Sequence, residues 1–221
     1  MVSASTSSVY GANKNLPFSE SSIADHPTQF YAATKRSNEI IAHAYSHMFN
    51  LPVTLLRFFT AYGPWGRPDM SLYLFVKKII ENKKIDVFNY GNHSRDFTYI
   101  DDIVEGIILT LNKIPKSYKN WNPKKPNPST STAPFKILNI GGGNTVSLMQ
   151  FIKIIEKILK KKARIKFTKF QDGDIKDTKA NINESIKYLK HKPKINVQEG
   201  VKRFINWYLK YKKLNLHISR K

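Results

Sequence analysis

The sequence predicts an α/β fold, and three observations point to it. Stretches with helical apolar spacing alternate with short apolar runs. Two of those runs, residues 53–59 (VTLLRFF) and 137–140 (ILNI), are continuous rather than alternating, which suits strands buried on both faces of a parallel sheet. Clusters of Gly, Pro, Asn and Ser punctuate the spaces between them. With 221 residues, 41% of them hydrophobic, the chain is long enough for one large domain or two small ones with a real core.

Taken in order, residues 2–10 (VSASTSSVY) read as a Ser-rich strand end and 11–25 as a polar loop. From 28 to 48, Ala32, Ile40, Ala44 and Met48 recur at helical spacing, and Asn50 and Pro52 end that helix. After the strand at 53–59 comes a Gly/Pro loop at 62–69. A helix at 71–82 follows, then strands at 85–88 and 95–99, and a helix at 101–111 with two acids in its first turn. Residues 113–134 are rich in Pro, Lys, Asn and Ser and read as an exposed, mobile insertion. A strand at 137–140, three glycines, a helix over 147–162, a strand at 165–168 and helices at 183–189 and 197–211 complete the chain.

The formal net charge is +21, which raises nucleic-acid binding. The densest basic stretch (Lys157, Lys160, Lys161, Lys162, Arg164, Lys166, Lys169) straddles a helix end, where Lys suits the dipole. No nucleic-acid motif accompanies it and no apolar run has membrane-spanning length, so neither nucleic acid nor a membrane is expected as a partner. There is no cysteine, which excludes disulfides and thiolate chemistry and fits a cytoplasmic protein. His43 and His47 lie one helical turn apart without a third ligand, so no metal site is expected. Asp101 and Asp102, adjacent in sequence, point different ways and suit a helix N-terminus rather than a carboxylate dyad.

The strongest chemical signal is Tyr31 and Lys35, which share one helix face at i and i+4. An ammonium beside a phenol stabilises the phenolate, which makes the phenol a usable general acid or base. The plainer alternative is a packed Tyr beside a solvated Lys. Upstream, Ser5 to Ser8 end a predicted strand, and a hydroxyl there sits where α/β sheets bind ligands.

These segments together resemble the extended short-chain dehydrogenase/reductase family. STSSVYG, YAATK, LLRFFTAYGPWGRPDM, RDFTYIDD, NIGGGNTVSL and QDGDIKDTKANI all match, in the family's order. Within that family the chain is most similar to NAD-dependent nucleotide-sugar epimerases, the UDP-glucuronate 4-epimerases above all. The resemblance implies that Thr6 is the catalytic hydroxyl, Tyr31 the acid/base, and Lys35 the cofactor-ribose ligand beside it. It implies substrate contacts from Ser7, Ser8, Thr60, Arg67 and Arg95. A strand edge at Phe88 to Tyr90 would hold uracil, and Gln171 and Asp174 would lie near the uridine ribose. It also implies NAD as a bound cofactor and a homodimer in the complete form.

The family's GxGxxG turn is not in this sequence. Gly141-Gly142-Gly143 lacks the spacing and the acidic residue beyond it, so no cofactor role is expected there. The expected architecture is therefore an incomplete Rossmann-like parallel sheet with a small C-terminal substrate-binding lobe. Sheet elements fall near 1–60 and 98–145, lobe elements near 61–97 and 146–221. The rest of the cofactor half would come from a separate chain, or the chain is a fragment or an inactive remnant that keeps only nucleotide-sugar contacts. Another nucleotide-sugar epimerase or a dehydratase is the rival activity. The hydroxyl motif Thr6-Ser7-Ser8 has no carboxylate, which argues against dehydration.

Overall fold

The computed structural model describes residues 1–170 and 175–214. Three parallel strands, β1 (Val2–Thr6), β2 (Val53–Phe58) and β6 (Phe135–Ile140), form the first sheet in the order β1-β2-β6. The continuous apolar character of β2 has the predicted cause, because both of its faces are covered. On one side Val53 and Leu55 pack with Phe135, Ile137 and Ala42 of α1 (Phe30–Phe49). On the other, Leu56 and Leu138 pack with Ile103 of α3 (Ile100–Leu111) and Leu189 of α5 (Asn183–Leu189).

A second layer of structure grows from the loops that leave this sheet. Strands β3 (Thr60–Tyr62), β5 (Ser94–Tyr99) and β7 (Thr145–Ser147) form one small sheet, and β4 (Lys84–Val87) pairs with β8 (Arg164–Phe167) in another. Helices α2 (Ser71–Ile80), α4 (Leu148–Leu159) and α6 (Val197–Tyr211) enclose them around an aromatic core. Its centre is Phe97 stacked on Phe151 at 4.2 Å, with Tyr62 edge-on to Phe97. Ser147 caps α4 through a reciprocal capping box with Gln150, worth about 1 kcal/mol.

Several boundaries shift, and each has a physical reason. The glycine-rich turn 141–143 is held by Asp96, which is buried: its carboxylate accepts from Gly142 N at 2.7 Å, Gly143 N at 3.0 Å and Ala180 N at 2.9 Å. Asp102 does not cap its own helix. It accepts from Lys194 N and Ile195 N, at 3.0 and 3.1 Å, and so ties the start of α3 to the segment before α6. The strand expected to continue through Phe88 instead turns into a 3-10 segment, Phe88–Gly91, with Asn89 and Tyr90 in left-handed backbone. The 112–134 connection has no helix or strand, yet it is braced along its length. Tyr118 N donates to Ser131 O at 2.9 Å and the Trp121 indole donates to Asn127 O at 3.2 Å. No helix among the described residues is long and apolar enough to cross a membrane.

Candidate functional site

The site lies at the carboxyl ends of β1 and β2, where parallel sheets leave a crevice. β1 ends at Thr6, which passes directly into a 3-10 turn, Ser7–Tyr10. Thr6 is the cap of that turn: its hydroxyl oxygen accepts from Ser8 N at 3.2 Å and lies 3.3 Å from the Ser8 hydroxyl. Thr6, Ser7 and Ser8 line a cavity of about 450 Å³, whose other wall is the loop after β3 with Trp65, Gly66 and Arg67. A larger cavity of about 890 Å³ lies against it, since Thr60, Met70, Ser71 and Phe97 line both. Phe88, His93 and Arg95 face this larger space, with Leu74 and Leu148 as apolar wall. A mostly apolar cleft of that size with a few convergent polar groups is the usual form of a small-molecule site.

The predicted residues are unevenly gathered. Thr6, Ser7, Ser8, Thr60 and Arg67 meet at the smaller cavity, and Phe88 and Arg95 at the larger. Arg95 is fixed by its own strand and by the segment before Thr178, donating to Ser94 O at 3.0 Å and to Lys176 O at 2.7 Å. Arg67 is fully exposed and forks onto Asp69 at 3.1 and 2.5 Å. That bond, and more weakly the nearby Tyr31, hold its guanidinium above the ordinary range. Tyr90 sits on the 3-10 segment, 65% exposed, and lines neither cavity. Gln171 and Asp174 lie outside the described residues.

Tyr31 opens the first turn of α1 and is half exposed, with Lys35 one turn further on and half-buried. Neither the Tyr31 hydroxyl nor the Lys35 ammonium is committed to a hydrogen bond among the described residues. A phenol and an ammonium so placed fit the diol of a ribose and the reacting hydroxyl beside it. The glycine run offers no equivalent for a pyrophosphate, because Asp96 already takes the amides of Gly142 and Gly143.

The residues that aim this helix are ones the sequence reasoning passed over. Glu39 is the third member of the Tyr31–Lys35 stripe, at i+8, and is buried. Ser5, one residue before Thr6, donates to it at 2.6 Å, and Arg57 on β2 donates through Nε and Nη2, both at 2.8 Å. Burial pushes the Glu39 carboxyl up, but the bonds from Arg57 and Ser5 outweigh it and the net shift is downward. Arg57 is buried too, its guanidinium 4.8 Å from the Tyr10 ring centre, and the Tyr10 hydroxyl donates to Asn139 at 2.7 Å. Burial leads in pushing the Tyr10 hydroxyl up to about 12. The isolated charge at Arg57 inside an apolar strand run was the signal available.

His43 bonds the Ser131 hydroxyl at 2.8 Å and meets Phe135 edge-on. Phe204 and Tyr208 are buried, while Trp207 stacks on Tyr211 and touches Trp65 at 5.3 Å, tying the substrate-side loop to α6.

The chain is 50% identical over 213 residues to "Protein CapI" of Staphylococcus aureus, covering 96% of this chain and 64% of that one. It is 46% identical over 207 residues to a "Probable UDP-glucuronate 4-epimerase" of Rhizobium meliloti, covering 93% and 60%. Its fold superposes on the UDP-glucuronic acid 4-epimerase of Bacillus cereus, solved with UDP-glucuronic acid and NAD, with a TM-score of 0.82 at 32% identity. That match covers 95% of this chain and 61% of that one. The chain thus spans about three-fifths of the length of the curated relatives it matches. The family model for the NAD dependent epimerase/dehydratase family matches residues 1–122, and the chain belongs to that family.

Proposed function

We propose that this chain supplies the catalytic and substrate-binding part of an NAD-dependent UDP-sugar 4-epimerase, with UDP-glucuronate and UDP-galacturonate as the interconverted pair. The observation that carries the reading is the adjacency of two cavities: one lined by the hydroxyls of Thr6, Ser7 and Ser8 and by Arg67, which lies near Tyr31, and a larger one bearing Arg95. The first has the dimensions and donors for a sugar, the second for a nucleoside diphosphate. The two-lobe division assigns residues 1–60 and 98–145 to the cofactor side and 61–97 and 146–221 to the substrate side.

In this mechanism Tyr31 removes the proton from the sugar 4-hydroxyl, and Thr6 donates a hydrogen bond to the same oxygen. Lys35 stabilises the phenolate and holds the cofactor ribose. When bound, NAD would supply the hydride acceptor and donor that the chemistry at C4 requires. Thr6, Ser7 and Ser8 leave the 4-keto sugar room to turn over, so that the returning hydride would enter C4 from the opposite face while Tyr31 gives the proton back to the 4-oxygen. Ser7 and Ser8 meet the sugar carboxylate, while Arg67, once released from Asp69, meets the carboxylate or the diphosphate. Arg95 grips the diphosphate, and backbone at Phe88 and Tyr90 with Gln171 and Asp174 completes the uridine contacts.

The test is a competition assay on enzyme that contains this chain together with the family's remaining cofactor-binding portion. A site built on polar contacts discriminates strongly against an analogue that lacks the partner group. UDP-glucuronate should therefore exceed UDP-glucose in kcat/KM by at least about tenfold. Equal or better efficiency with UDP-glucose would remove the carboxylate from the assignment and leave the 4-epimerase reading in place.

A further inference from the structure

Away from these two cavities, a third cleft of about 860 Å³ opens beside β6, between the 112–134 loop, Lys136 and α5. The loop is the first observation. A structureless connection longer than about 15 residues is uncommon in a compact domain, and is generally either functional or disordered. This one is built. The Asn127 carboxamide oxygen accepts from Ser129 N at 3.0 Å and from the Ser129 hydroxyl at 2.9 Å, and Ser131 is anchored to His43 on α1.

The charge at the cleft is the second observation. Four lysines line it, Lys113, Lys116, Lys136 and Lys187, against two acids, of which one offsets a single cleft lysine and the other accepts from the backbone. Glu184 pairs with Lys136 at 2.9 Å, and Glu20 is buried, accepting from Asn139 N at 2.8 Å. Lys113 and Lys136 converge on a single ring, their ammonium groups 5.7 and 5.5 Å from the centre of Tyr188. Cation–π contact holds both stems in place; Glu184 offsets Lys136, and Lys113, Lys116 and Lys187 are left without a carboxylate partner among the described residues. The third observation is the hydroxyl wall: Ser19, Ser117 and Ser129 line the space, and the buried Thr130 hydroxyl has no hydrogen-bond partner among the described residues.

We infer that this cleft is a second ligand site, for a small phosphorylated sugar. Lysine binds phosphate as a point charge, and the serines and Thr130 match a polyhydroxylated body. The volume of about 860 Å³ is that of a small-molecule pocket. The inference stands independently of the epimerase reading.

The experiment is calorimetric titration of the 221-residue chain with glucose 1-phosphate, in the presence of UDP at a concentration that fills the nucleotide cavity. The comparison is the double variant Lys116→Glu/Lys187→Glu. Both side chains are exposed, and circular-dichroism melting confirms that the variant is folded. Saturable 1:1 binding that survives UDP and weakens at least about tenfold in the variant, with a further loss at high salt, is the expected result. Absence of saturable heat, abolition by UDP, or unchanged affinity in the variant overturns the site. Inorganic phosphate binding as tightly as glucose 1-phosphate overturns its assignment to a sugar.

Discussion

Replacing Glu39 by alanine should destabilise the chain far more than any surface substitution. Glu39 and Arg57 are both fully buried, and each guanidinium–carboxylate bond is 2.8 Å. Removing the carboxylate leaves Arg57 charged and buried without its counter-ion. Breaking a buried pair this way costs about 3–5 kcal/mol, which for a chain of this size lowers Tm by roughly 6–20 °C. The loss comes from the stranded charge rather than from the value of the pair, so a second substitution should recover most of it. Glu39→Leu with Arg57→Met removes both charges and fills similar volume, and such exchanges are often neutral. Arg36 is a contrast: its side chain is 19% exposed and also bonds Asp25, so Arg36→Ala should cost about 1 kcal/mol or less. Urea unfolding of the wild type and the three variants gives these numbers directly. A loss below 1 kcal/mol for Glu39→Ala, or a double variant as unstable as the single one, would refute the reasoning. The position also matters for chemistry. Glu39 ties α1 to Ser5, so the helix that carries Tyr31 is registered against the strand that ends at Thr6.

Why this pair was illegible in the sequence, while the elements around it were not, follows from how each is encoded. Helices α5 and α6 are fully legible from apolar periodicity, and β2 from its unbroken apolar run, because burial of those faces is what forms them. The polar row Ser5, Arg57 and Asn139 is created by parallel register, which pairs Ser5 with Arg57 and Arg57 with Asn139. Register joins residues up to 134 positions apart, counting from Ser5 to Asn139, and no local spacing announces it. Strands β3 and β7 were missed for a related reason. Each is three residues long and exists through its pairing with β5, not through its own composition. Thr6, Ser7 and Ser8 were legible because a strand end rich in hydroxyls is a local pattern. The position of Tyr90 was not, since its left-handed backbone is dictated by the turn from β4 to β5.

Four further outcomes are expected. In the complemented enzyme Tyr31→Phe should lower kcat about 10²–10⁴-fold with little change in KM, and parent-like turnover would remove Tyr31 from the mechanism. Titrated alone with NAD, the 221-residue chain should show no saturable micromolar binding, because Asp96 occupies the amides of its glycine turn; a clear isotherm contradicts this. The pH dependence has two opposed parts. Glu39 sits below its ordinary value of 4.5, so its stabilisation is complete above that pH and is lost as pH falls through the folded value. Asp96 is pushed up from 3.8 to about 6, chiefly by burial, so the protonated form favours folding, and that contribution is lost as pH rises through about 6. Stability curves of Glu39→Gln and the parent should keep a constant gap above about pH 4.5 and converge as pH falls below it, and a gap that stays constant into acid refutes the assignment. Finally, Gly200→Ala in α6 should destabilise although its backbone is ordinary helix. A Cβ there would lie 2.1 Å from the Tyr62 hydroxyl and 2.6 Å from the ring carbon that bears it. Tyr62 is buried, edge-on to Phe97, Tyr99 and Phe151, and cannot retreat without disturbing the lobe core. Overpacking of this kind costs about 1–3 kcal/mol, against the slight gain Ala brings to an open helix position. Tyr62→Phe deletes the hydroxyl oxygen, so in that background the cost of Gly200→Ala should fall by part, not all, since the ring carbons remain. A double-mutant cycle measured by urea unfolding reads the coupling, and additivity within 0.5 kcal/mol, the level typical of independent sites, would place the strain elsewhere.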